Sequence, residues 1–171
     1  YALPRAFAQR GSASATVAEI DPAVTALAVR DFWFDPQTAR ILHEDARDAL
    51  RRRDEWYDVI IGDAFTDTAV PQHLVTQEFF ELVRSRLTAD GSYLMNVIDY
   101  ADRMQAVGSL VLTLRDVFPV VEVWTEARRP EPGERVVMVI AAGASETRGN
   151  SFSVPAPEQT TFAALGAGFV D

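Results

Sequence analysis

The run YDVIIGDA, from Tyr57 to Ala64, constrains this chain more than any other stretch. Its apolar residues are contiguous rather than alternating, which is the pattern of a strand covered on both faces. Parallel neighbours are joined by crossovers that lay helices on the sheet, so the run predicts a parallel sheet flanked by helices. It also ends in a carboxylate, Asp63, and an acid at the lip of a buried strand calls for a reason.

The scheme repeats along the chain. ATVAEIDP (Ala15 to Pro22) reads as a short β-branched strand stopped by acids and a proline that suits the first turn of a helix. The helix PAVTALAVRDFW follows, with Val24, Leu27, Ala28 and Asp31 to Phe32 marking one face. ARILHEDARDALRRR places Ile41 and Leu42 in a strand, closes it with Glu44 and Asp45, and begins a short basic helix. TQEFFELVRSRLTADG is the clearest helix: Thr76 caps it, Phe79, Phe80, Leu82, Val83 and Leu87 form its buried stripe, and Asp90 and Gly91 end it. GSYLMNVIDY is a further strand and ADRMQAVGSLVLTLRDVF an amphipathic helix. PVVEVWTEA and RVVMVIAAGA are two strands joined by RRPEPGE, too short for a crossover helix, so they pair antiparallel. The expected fold class is α/β, a Rossmann-like, mostly parallel doubly wound sheet with an antiparallel C-terminal hairpin. One domain is expected over residues 1–144, with 145–171 as a tail rich in Ser, Pro, Gly and Ala.

Composition narrows the function. With a formal net charge of −9 and no cysteine, the chain is unsuited to nucleic acid or anionic lipid and has no disulfide or thiolate metal site. No apolar run approaches the roughly 20 residues that span a bilayer, and no signal-peptide pattern opens the chain, so a cytoplasmic protein without membrane association is expected. In an open parallel sheet, ligands bind beyond the carboxyl ends of the strands. Three successive strands here end in acid: Glu19 with Asp21, Glu44 with Asp45, and Asp63. Any one of them is accounted for as a helix cap, whereas three along one rim suggest a site. An acid at such a position can accept two hydrogen bonds from a ribose diol. Arg47, Arg51, Arg52 and Arg53 read as a solvated face, Phe32, Trp33 and Phe34 as packing rather than a stacking platform, and His43 and His73 as structural.

The linked set EIDP, EDARDAL and YDVIIGDAFTDTAVPQHLVTQEFFELVRSRLTADG resembles the spermidine synthase family of polyamine aminopropyltransferases, which share the class I S-adenosylmethionine-dependent methyltransferase fold. The resemblance runs from about Tyr1 to Ala142. It implies aminopropyl transfer from decarboxylated S-adenosylmethionine to a polyamine such as putrescine. Glu19 would hold the ribose hydroxyls, Asp45 with the Ala46 backbone the adenine, and Pro71 would line the nucleoside pocket. Asp63 would be the catalytic acid that binds the attacking amine and assists its deprotonation, and Asp67 the second carboxylate of that loop. No metal is implied, because a sulfonium is already a good leaving group. A homodimer is implied as well. Family members place a first strand and glycine-rich loop directly before a segment like YALPRAFAQR, so those elements are expected to be missing, as is a small N-terminal β domain. Their loop reads Asp-Ser-Ser-Asp-Pro where this chain has Asp63-Ala64-Phe65-Thr66-Asp67. Two other readings stay open: a methyltransferase using S-adenosylmethionine on another substrate, and a noncatalytic nucleoside-binding relative.

Overall fold

The computed structural model describes residues 1–11, 15–65, 70–148, 151–153 and 161–165. They fall into two units, Tyr1–Asp54 and Glu55–Asp171.

In the first unit, helix α1 (Ala2–Gln9) precedes strand β1 (Ala15–Ala18), helix α2 (Pro22–Asp31), strand β2 (Ala39–Leu42) and helix α3 (Ala46–Arg51). β1 and β2 pair parallel, Ala15 beside Ala39 and Ala18 beside Leu42. α2 begins as its sequence predicts, with Pro22 at the first helical position and the Asp21 carboxylate accepting from the Ala23 N–H at 2.8 Å. Its buried face differs from the expected one. Thr25 and Ala28 are buried, while Val24 and Leu27 stay exposed. Thr25 is drawn inward because its hydroxyl lies between the Tyr1 phenol and the His43 ring. Of the aromatic trio, Phe34 is buried against Tyr1, with ring centroids 4.4 Å apart, and Phe32 and Trp33 are exposed.

In the second unit, strand β3 (Tyr57–Gly62), helix α4 (Gln77–Ser85), strand β4 (Leu87–Tyr100), helix α5 (Gln105–Arg115) and strands β5 (Val120–Glu126), β6 (Arg135–Gly143), β7 (Ser151–Ser153) and β8 (Thr161–Ala164) follow in order. They form one sheet in the order β3-β4-β6-β5-β8-β7. β3 and β4 pair parallel. β6 pairs antiparallel with β4 on one side and β5 on the other. β3, β4 and β5 therefore point the same way and end on one rim, and β6 is the reversed strand inserted between β4 and β5, as the short RRPEPGE connection predicts. β7 and β8, within the segment from Ser145 onward, extend the sheet beyond β5.

Thr76 caps α4 as expected, its hydroxyl accepting from the Phe79 N–H at 3.3 Å. The helix ends earlier than the sequence suggests. Ser85 is its last residue, and Leu87 opens β4 opposite Tyr57. Between the Tyr57–Leu87 and Val59–Ser92 pairs the register shifts, and Gly91 sits where an added β-carbon would meet the Tyr57 carbonyl oxygen at 3.0 Å. Gly91 is thus the small residue that a bulge needs rather than a helix stop. Phe80, Val83, Tyr93, Met95, Val107, Val111, Leu114, Met138 and Ile140 are the most deeply buried side chains of this unit.

Candidate functional site

Asp63 follows β3 directly, so the strand aims its carboxylate beyond the sheet. It is exposed to solvent. Its partner among the described residues is Asn96, whose Nδ2 donates to Asp63 Oδ1 at 2.9 Å. The parallel register, Gly62 beside Met95, is what brings position 96 next to position 63. Asn96 is a residue that sequence reasoning missed. Its signal was a lone polar side chain in LMNVI, an otherwise apolar strand, but only the register says what it faces. Its Oδ1 is buried and has no hydrogen-bond partner among the described residues, an arrangement that costs free energy.

Behind this pair the strand is fixed by close approach. A β-carbon at Gly62 would lie 2.5 Å from Tyr93 Oη, so glycine is required for β3 to pass over that ring. Tyr93 is buried between Phe80 and Phe118, and burial pushes its phenol pKa well above the ordinary value. It stays protonated and serves as a fixed wall. Two other described acids near this rim are engaged. Asp99 is buried and accepts from the Tyr100, Ala106 and Val107 N–H groups at 2.7, 2.8 and 3.1 Å, closing the turn into α5. Glu126 accepts from Arg128. Asp63 is thus the rim carboxylate held by a neutral side chain and open to water.

Pro71 is half-buried and leads the 3₁₀ turn Gln72–Leu74. Asp67 lies outside the described residues.

The first unit carries Glu19, Asp45 and Ala46. One oxygen of Glu19 accepts from the Asp21 N–H at 3.0 Å. Asp45 caps α3, with Oδ1 accepting from the Arg47 and Asp48 N–H groups at 2.9 and 3.2 Å. Ala46 opens that helix, where first-turn amides have no helical acceptor. Glu44, the neighbouring acid, is taken up by Arg52 and Arg53. The cluster expected to be a solvated face is in part ion-paired: Arg51 and Arg52 are exposed and lie near Asp48, and Arg53 is half-buried against Glu44. Tyr1 and Thr25 were not legible as site neighbours. Burial is the largest influence on the Tyr1 phenol and raises its pKa, the Thr25 hydrogen bond opposes that rise, and the charge of Glu19 adds to it, so Glu19 and Tyr1 sense one another. Carboxylates accept hydrogen bonds from hydroxyl or amino groups, and a helix-opening amide donates one.

Among the described residues no cluster of three His, Asp or Glu side chains is arranged to hold a metal, and no helix is long and apolar enough to cross a membrane.

No family model matches the chain. It is 32% identical over 152 residues to the N-terminal histidine N-methyltransferase of Emericella nidulans, covering 84% of this chain and 26% of that protein. It is 31% identical over 126 residues to the polyamine aminopropyltransferase of Vibrio vulnificus, covering 71% of this chain and 40% of that protein. Among solved structures, human methyltransferase-like protein 13 in complex with SAH superposes with a TM-score of 0.69 at 24% identity, over 97% of this chain and 70% of that one. A probable spermidine synthase from Corynebacterium glutamicum gives 0.67 at 23% identity, over 87% and 57%. The chain spans between about a quarter and two fifths of the length of these two curated relatives. Its α/β architecture, with parallel and antiparallel strands in one sheet, is the Rossmann-like fold of those neighbours.

Proposed function

We propose that this chain, which is spermidine synthase-like and carries the methyltransferase fold, works in aminopropyl transfer from decarboxylated S-adenosylmethionine to a polyamine such as putrescine. The observation that carries the reading is the exposed Asp63 carboxylate at the end of β3, steadied by Asn96. An ammonium has no lone pair with which to attack, so a nearby carboxylate must orient it and accept a proton. In the proposed step the amine nitrogen forms a bond to the carbon beside the sulfonium as the carbon–sulfur bond breaks. The bonding pair leaves on sulfur, which becomes a neutral thioether, and the surplus proton passes to Asp63 and on to water. Glu19 would accept the ribose hydroxyls, and Asp45 with the Ala46 amide would hold the adenine. Pro71 would line the nucleoside, and Asp67 would give the amine a second acidic contact. A homodimer is part of this reading.

A second reading, methyl transfer from S-adenosylmethionine, is favoured by the N-methyltransferase relative, which matches a larger share of this chain than the aminopropyltransferase does. Both are alkyl transfers to nitrogen, and both use Asp63 in the same way.

Calorimetric titration of the full-length protein with methylthioadenosine is expected to show saturable binding, and its absence would remove both readings in favour of a noncatalytic relative. Assays pairing putrescine with each nucleoside then separate the two, since methyl transfer without aminopropyl transfer rules out the first. Asp63→Asn is expected to lower kcat by about 10²- to 10⁴-fold while leaving the fold intact, because the side chain is exposed. Full activity in that variant would refute the assigned base.

A further inference from the structure

The rim that carries Asp63 continues across the sheet to a cavity of about 420 Å³ whose lining does not include Asp63. Asn96, Val139 and Trp124 form one row across β4, β6 and β5. The cavity begins one residue further along β5, at Thr125, about 10 Å from Asn96 at two strand spacings. Its apolar side includes Val137, an exposed side chain of β6, and Ala164 of β8. At its lip stands Met104, a non-glycine residue in the left-handed region with φ 46°.

The charges around this hollow are unevenly used. Arg128 donates to Glu126 at 2.6 Å and to both oxygens of Glu134 at 3.0 and 2.5 Å, so the two carboxylates are satisfied by a single guanidinium. Arg129 and Arg135 also line the cavity, are exposed, and have no carboxylate partner among the described residues. Two exposed guanidiniums without an ion pair among the described residues thus lie beside an apolar wall. Over residues 126–135 Glu126, Glu131 and Glu134 balance Arg128, Arg129 and Arg135, so what singles out Arg129 and Arg135 is that their forks are not engaged by a described carboxylate. A guanidinium fork matches a carboxylate or phosphate in geometry, and the volume falls within the range of small-molecule sites.

We infer that this cavity binds a small amphipathic organic anion, its carboxylate or phosphate head held by Arg129 and Arg135 and its apolar body laid against Val137 and Ala164. The site does not rest on the transferase reading, and a chain inactive with both nucleosides would keep it.

The test is an NMR titration of the full-length protein with octanoate, with octanol and octylammonium as probes of matched length but different charge. Octanoate is expected to shift the amides of Val137, Ala164 and residues 127–129 saturably, at least about tenfold more tightly than either control. Inorganic phosphate, added alone, tests whether the head group suffices, and its shifting the same amides would extend the site to phosphate heads. Arg129→Gln/Arg135→Gln is expected to weaken octanoate at least tenfold while leaving the spectrum elsewhere unchanged, since both side chains are exposed. Octanol binding as tightly as octanoate, an unchanged affinity in the double variant, or no saturable shift at these amides would each overturn the inference.

Discussion

The two units spend their polar side chains differently. In Tyr1–Asp54, Asp21, Asp35 and Asp45 each cap a helical turn, and Glu44 is tied to Arg52 and Arg53. Its buried apolar residues, among those described, are Ala28, Phe34 and Ala49. In Glu55–Asp171 a continuous core runs from Phe79 and Phe80 through Tyr93 and Met95 to Met138 and Ile140. The first unit leans on short-range capping and ion pairing, the second on burial. The acids of the first unit are thus spent on local structure, whereas Asp63 in the second is exposed and held, among the described residues, by the neutral Asn96.

Three substitutions can break this contrast. The largest effect belongs to Phe80→Ala in the second unit. Phe80 is fully buried between Phe79 and Tyr93, and its truncation is expected to cost about 3–5 kcal/mol in urea unfolding. Next comes Asp45→Ala in the first unit, where losing the cap on α3 is expected to cost about 1 kcal/mol, seen as faster amide exchange at Arg47 and Asp48. If the cap proved costlier than the aromatic, the contrast would be wrong.

The smallest effect tests a surface clasp in the unit held by burial. Arg128, and secondarily the Glu131 N–H, hold the Glu134 carboxyl down to about 2 from an ordinary 4.5. A depressed folded value favours the ionised form. Its contribution is therefore complete above pH 4.5 and is lost as pH falls toward about 2. Glu134→Gln is expected to flatten that part of the acid melting curve, most visibly at low salt because the pair is exposed. An identical acid limb in the variant would remove the clasp from the account.

What could be read from the sequence was local. Thr76, Asp21 and Asp45 cap helices that start one to three residues away, and the antiparallel hairpin followed from a connection too short for a helix. Asp63 was legible for the same reason, as the residue that ends an apolar run. Asn96 was not, because its meaning depends on a parallel register between strands thirty residues apart. The α4–β4 boundary also escaped. Leu87 is buried whether it closes a helix or opens a strand, so hydrophobic spacing could not distinguish the two. On α2, Val24 and Leu27 fit a buried stripe by spacing, yet Thr25 turned inward for a hydroxyl contact, which a hydrophobicity pattern cannot see. α1 was not recognised as a helix from YALPRAFAQR.

The strand that ends at Asp63 also governs how the protein behaves in a tube. Among the described residues of its unit β3 pairs with β4 alone, and Val59 on it is exposed. Such a ribbon of open amides and carbonyls can join another copy when molecules are close enough. Near neutral pH a charge of −9 opposes nonspecific association, and close to the pI of about 4.7 that repulsion vanishes. Acid series and crystallisation drops that pass through the isoelectric region should therefore favour turbidity before unfolding, so that light scattering belongs beside every low-pH spectrum.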